Sequence, residues 1–177
     1  MANNCFYKMV AVAPKRETLE RLINIMNYKD DEYFIYRCFS ADAEDIVVED
    51  GLYSVDIQGD VAWSTTSWFD QTEDADRLVV VGYEGDDFTK PIYGTAHFIT
   101  LDLLCERLDF GVEIYAEESG CCFQSYDACT HTGEYRHDIA EWIEHITDES
   151  GNWLDEPYTE GGLSYYGEFN TPSVIYG

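Results

Sequence analysis

Residues 5–26, CFYKMVAVAPKRETLERLINIM, decide how the chain reads as a fold. Residues 5–12 are rich in aromatic and β-branched types and predict a strand. Pro14 then opens a helix, where its missing N–H costs nothing. Leu19, Leu22, Ile23 and Met26 recur at i, i+3, i+4 and i+7 as one apolar stripe, and Asp30 and Asp31 mark the helix end. Working outward, residues 33–39 and 52–61 predict two more strands. In the second, Leu52, Ser54, Asp56 and Gln58 alternate against Tyr53, Val55, Ile57 and Gly59. Residues 77–83 hold the buried-strand run Leu-Val-Val-Val. Thr100 caps a second helix bearing Leu101, Leu104, Cys105 and Leu108, and Gly111 ends it. Residues 112–115 predict another strand. Ile139, Trp142, Ile143 and Ile146 fall at helical spacing and predict a third amphipathic helix. This order of elements is the ferredoxin-like split βαβ pattern of α+β folds, an antiparallel sheet with helices on one face. It makes residues 1–148 one domain, with residues 149–177 as an acidic, Tyr/Gly-rich C-terminal extension packed on it.

Charge constrains function more than any motif does. The 177 residues carry 10 Lys plus Arg against 36 Asp plus Glu, a formal net charge of −26. With 45% hydrophobic and 15% aromatic residues the chain has a core to build, so this charge does not mean disorder. Such a surface repels phosphate, which excludes direct nucleic-acid binding and anionic membranes and makes basic protein surfaces the expected partners. No basic n-region precedes an apolar run, and no apolar run is long enough to span a bilayer. The six cysteines are therefore expected to be reduced thiols in a cytoplasm.

The acids are clustered. Asp42, Glu44, Asp45, Glu49 and Asp50 flank the strand at 52–61, and Asp70, Glu73, Asp74 and Asp76 follow it. Asp138, Glu141 and Glu144 oppose the apolar stripe of the third expected helix, beyond which no Lys or Arg follows Arg136. Solubility of a small domain needs a net charge of only about 2–8 in magnitude. The excess is expected to serve binding, with carboxylates about 5–7 Å apart along strands and helices imitating rows of phosphates.

Other chemistry is poorly supported by spacing. Asp42, Glu44 and Asp45, followed by Glu49-Asp50-Gly51, miss the register of a calcium loop. Cys121, Cys122, Cys129, His131 and His137 match no common zinc pattern. His137, Glu141 and His145 share one face of the expected helix, a solvated face or a general-base or metal site. No P-loop, dinucleotide fingerprint or nucleophile elbow occurs. No metal and no cofactor is expected.

Asn4-Cys5 before a strand, Pro14-Lys15 opening a Leu-rich helix, the Trp63 and Trp68 pair, and Glu117-Glu118-Ser119-Gly120 before Cys122-Phe123 resemble the YubB ferredoxin-like family of phage- and plasmid-borne proteins. The resemblance spans roughly the first three-quarters of the chain. It departs at a missing N-terminal Trp and at Ser119, where the family has Pro. It implies the ferredoxin-like fold and a mobile-element origin, and it transfers no functional residue. The expected function is that of a mobile-element inhibitor, a DNA mimic acting in the host cytoplasm. It would block nucleic-acid binding by a bacterial defence complex, a CRISPR effector first and a restriction enzyme next. The alternatives are a metal- or Cys-dependent enzyme on the same fold and a halophile-like solubility surface.

Overall fold

Alternating buried and exposed residues make Asn4–Ala13 a strand, β1, whose Cys5, Tyr7, Met9 and Ala11 point into the core. The computed structural model describes residues 4–35, 37–62, 64–70, 76–84, 87–118 and 122–169. After β1 come α1 (Arg16–Met26), β2 (Tyr33–Phe34), β3 (Asp42–Ala43), β4 (Val47–Glu49), β5 (Leu52–Ala62) and α2 (Ser67–Asp70). The chain continues through β6 (Asp76–Glu84), β7 (Asp87–Phe98), α3 (Leu101–Leu108), β8 (Gly111–Glu118), β9 (Phe123–Cys129), β10 (Tyr135–Thr147) and β11 (Trp153–Gly161). The main sheet runs β11-β10-β9-β8-β1-β5-β3, with β4 also on β5, and every pairing in it is antiparallel. A second sheet runs β2-β7-β6.

The ferredoxin-like α+β expectation is overturned: the chain is mostly β. Residues 139–146 decide it. They belong to β10, which pairs residue by residue with β9 from Tyr135↔Cys129 to Glu141↔Phe123 and with β11 from Trp142↔Gly161. Ile139, Ile143 and Ile146 satisfy a helical period, yet isoleucine is also a strong strand former, and a tight turn at 130–134 delivers the segment to the free edge of β9. Pairing along that edge outweighs the local period. Further strands at 87–98 and 123–129 complete the β content, while the expected strand at 33–39 shrinks to Tyr33–Phe34.

The helices cover one face of the main sheet. Leu19, Leu22, Ile25 and Met26 of α1, Trp68 and Phe69 of α2 and Leu101, Leu104 and Cys105 of α3 join Tyr7, Met9, Val55, Ile57, Val112 and Ile114 in a single core. The helix ends differ in detail from expectation. The side chain of Thr100 makes no capping bond, and α3 ends at Asp109 in the left-handed region rather than at Gly111. Asn27 closes α1, its Nδ2 donating to the Ile23 and Ala41 carbonyls.

Gly59 is where the edge is clamped. A Cβ there would run into the Ser40 carbonyl, which also accepts from the Tyr7 hydroxyl at 2.8 Å. The obstacle is backbone, so Gly59→Ala must displace the chain before β3. We expect it to cost about 1–3 kcal/mol in urea unfolding, whereas an alanine variant within about 0.3 kcal/mol of wild type would mean that the chain before β3 moves freely.

Candidate functional site

The acidic cluster at 42–50 becomes one edge of the main sheet. β3 and β4 are two pieces of a broken edge strand on β5, joined by Glu44, whose N–H donates to the Asp56 carbonyl at 2.9 Å. Asp50 and Gly51 both take positive φ, 51° and 84°, as a two-residue Asp-Gly hairpin loop requires. Asp42, Glu44, Asp45, Glu49 and Asp50 are all exposed. Asp56 and Asp60 extend the charge onto the outward face of β5, Asp56 opposite Val10 and Asp60 opposite Phe6. Among the described residues none of these carboxylates has an ion-pair partner. Arg16 reaches the Ile46 carbonyl at 3.5 Å and spends its charge on Glu20 at 2.9 Å, and Lys8, in one cleft with Glu44 and Asp56, makes no ion pair with them. Sequence reasoning left Asp56 and Asp60 out of the candidate set, although the two-residue period of β5 already placed them on its polar face.

The outward face carries a strap. Gly161 and Gly162, at φ 88° and 78°, turn the chain off β11, and a Cβ on Gly161 would press on the Glu141 carbonyl at 2.7 Å. Leu163, Tyr165, Tyr166 and Phe169 then pack over Tyr115, Tyr126 and Ala128. Clefts of about 240 and 470 Å³ open beside Phe169. The first is lined by Glu44, Asp56 and Lys8, the second by Glu49, Asp50 and Asp56.

The other expected clusters do not assemble. Neighbours on a strand face opposite ways, so Asp138 and Glu144 point outward while Glu141 points to the helix side, and no carboxylate row forms. Asp138 is committed elsewhere: it accepts from the Tyr165 hydroxyl and from Arg136, both at 2.6 Å. Asp70 ends α2 and Asp76 opens β6, where only the backbone is described. Glu73 and Asp74 lie outside the described residues.

Asp138 therefore ties the strap down. The bond from Tyr165, and then Arg136, hold its carboxyl below the ordinary carboxylate range despite some burial. A folded value below the unfolded one makes this tie complete above the unfolded value of about 3.9 and lost as pH falls through the folded value. The protection factors of amides 163–169, exchange rates taken relative to the intrinsic rate at each pH, should be unchanged from pH 7 to 5 and fall below about pH 4. A fall already at pH 6 would contradict the tie.

A buried knot joins the sheet to α2. Asp127 on β9 is fully buried, and its Oδ2 accepts from the Thr65 hydroxyl at 2.6 Å. Its Oδ1 accepts from Tyr135 at 2.7 Å and meets His137 Nδ1 at 2.8 Å. Phe69 stacks on Tyr135 at 4.0 Å and Trp68 meets Tyr7 edge-on at 5.0 Å. An aspartate orienting a histidine supplies two of the three members of a nucleophilic triad. Ser125, two residues before Asp127 on the same face, is however fully buried, and Thr65 gives its proton to the carboxylate itself.

Metal and thiol chemistry fare no better. His137, Glu141 and His145 do share a strand face, but four residues of strand separate each by about 13 Å, too far to chelate one ion. His131 lies beside Asp109, Cys129 is buried and Cys121 lies outside the described residues, and no metal-binding group of three forms among the described residues. Burial, with Glu118 and Asp127 nearby, pushes the Cys5 thiol up to about 12, and burial does the same to Cys38. Burial and Cys129 raise Cys105 well above its ordinary value. Such thiols are poor nucleophiles.

Together these features define a mostly β, strongly acidic protein with an unpaired carboxylate edge on its main sheet. No family model, no curated protein and no solved structure matches the chain. No described helix is long and apolar enough to cross a membrane.

Proposed function

We propose that the protein is an acidic nucleic-acid mimic that occupies the basic groove of a nucleic-acid-binding protein. In this reading it is a mobile-element inhibitor of a bacterial defence complex, and CRISPR effectors are the first targets to assay, restriction enzymes the second. One observation carries the proposal: Asp42, Glu44, Asp45, Glu49, Asp50, Asp56 and Asp60 share one sheet edge and its outward face, and among the described residues none of them forms an ion pair. Folding gains nothing from such a concentration of like charge, and a cationic groove gains a great deal. Catalysis is not required, because occupation of the groove suffices.

Competition tests it. Target pre-loaded with duplex DNA should exclude the protein, and the protein should exclude DNA. The association rate should fall steeply as the Debye length shrinks below about 8 Å. A ternary complex at unchanged affinity, or a rate flat with salt, removes the mimicry.

A further inference from the structure

The edge of the main sheet opposite the acidic edge is built differently. The helix layer reaches β9 through α3 and the start of β10 through Phe69 of α2 on Tyr135, and β10 from Ile139 onward runs exposed beyond it together with β11. On the helix-side face, which is apolar and covered over β1 and β8, β10 exposes Ile139 at 57% and Ile143 at 60%. Tyr158, 55% exposed, stacks on His145 beside them at 4.6 Å. Trp153, paired with Thr147 where β11 begins, is 78% exposed. This is a core face continued past its cover. Solvent-exposed Trp, Tyr and Ile in one strip mark a contact surface rather than a solubility surface.

Charge identifies the occupant. Glu141 stands between Ile139 and Ile143 on the same face, Glu160 is the cross-strand partner of Ile143, and Asp155 and Glu156 lie exposed between Trp153 and Tyr158 on β11. Residues 137–161 contain no Lys or Arg at all, and His145 is engaged by Glu160 at 3.0 Å. A second copy would set these carboxylates against their equals in a chain of net charge −26. Pro157 in the edge strand also removes a donor that strand addition would use. We infer that the β10–β11 hairpin is a docking surface for a cationic protein segment with interleaved apolar side chains. Its aliphatic groups would seat against Trp153, Tyr158 and Ile143 while its Lys or Arg meet the surrounding carboxylates. The inference goes beyond the mimicry reading and stands or falls separately from it, because it uses the opposite edge.

Labelled synthetic peptides test it by anisotropy at physiological salt: a mixed lysine–leucine peptide and an oligolysine of equal charge. The full chain should bind the lysine–leucine peptide at least about tenfold tighter. The double variant Trp153→Ser/Ile143→Ser, which changes only exposed groups, should bind the two equally and keep its oligolysine affinity. Neutralising Asp42 and Glu44 should leave the tenfold preference intact. Equal binding of both peptides by the wild type overturns the inference, as does a preference that survives the double substitution. A dimer in sedimentation that the double variant dissolves overturns it too, because the strip would then be covered by a second copy.

Discussion

Neutralising the acidic edge with Asp42→Asn, Glu44→Gln, Asp45→Asn, Glu49→Gln and Asp50→Asn should weaken target binding at least 100-fold and leave the melting temperature unchanged or slightly higher. The two directions follow from one fact. These carboxylates are exposed and, among the described residues, make no ion pair, so the folded state loses no interaction with them and is relieved of their repulsion. In a complex each would face a cation, and leaving buried cations unmatched costs about 2–5 kcal/mol apiece. The substitutions are nearly isosteric, and asparagine tolerates the left-handed backbone that Asp50 adopts at φ 51°. Melting curves and surface-binding rates read both effects on one preparation. Asp155→Asn and Glu156→Gln, on the far edge, serve as the control and should not alter groove occupation. Affinity within about threefold of wild type for the five-fold variant would make the acidic edge a solubility surface only. A melting temperature lowered by several degrees would make those residues structural.

How much of this was legible in the sequence depended on whether a signal was local. β1, α1 and β5 were readable because burial there follows one period without competition: Leu19, Leu22 and Met26 go inward on α1, Val55 and Ile57 on β5. The acidic edge was readable for the same reason, since charges at 42–50 need only an adjacent strand to gather them. Residues 135–147 were misread because Ile139, Ile143 and Ile146 fit a helix and stay exposed in the strand, and two of them, Ile139 and Ile143, mark an uncovered face instead of a buried stripe. That one misreading also dissolved the expected row of Asp138, Glu141 and Glu144, whose geometry existed only on a helix. The strap was unreadable for a different reason. Tyr165 and Phe169 find their places through Tyr126, Tyr115 and Asp138, far back in the chain, and no period records such contacts. Asp127 left the faintest trace: a single aspartate between Tyr126 and Ala128, whose partners Thr65, Tyr135 and His137 are brought together only by the fold.

That aspartate should carry the largest stability effect in the molecule. Asp127 is fully shielded from water, and its two oxygens serve Thr65, Tyr135 and His137 at 2.6–2.8 Å. Asp127→Ala removes the acceptor for all three in a site water cannot enter, and breaking such a buried pair costs about 3–5 kcal/mol. For a chain of this size that is a fall of roughly 6–20 °C in melting temperature. Asp127→Asn should lose less, because its carbonyl oxygen still accepts while its amide NH₂ is turned against one of the donors. The loss should also be directional. Thr65 leads into α2, and Tyr135 carries the stacked Phe69, so α2 should come away from the sheet before the β1–β5 ladder opens. Amide exchange in Asp127→Asn should accelerate at residues 65–70 while residues 5–13 keep their protection. Uniform acceleration across both segments would show that the knot is not a separate fastening. An Asp127→Ala protein melting within about 2 °C of wild type would show that the three donors find water or one another once the carboxylate is gone.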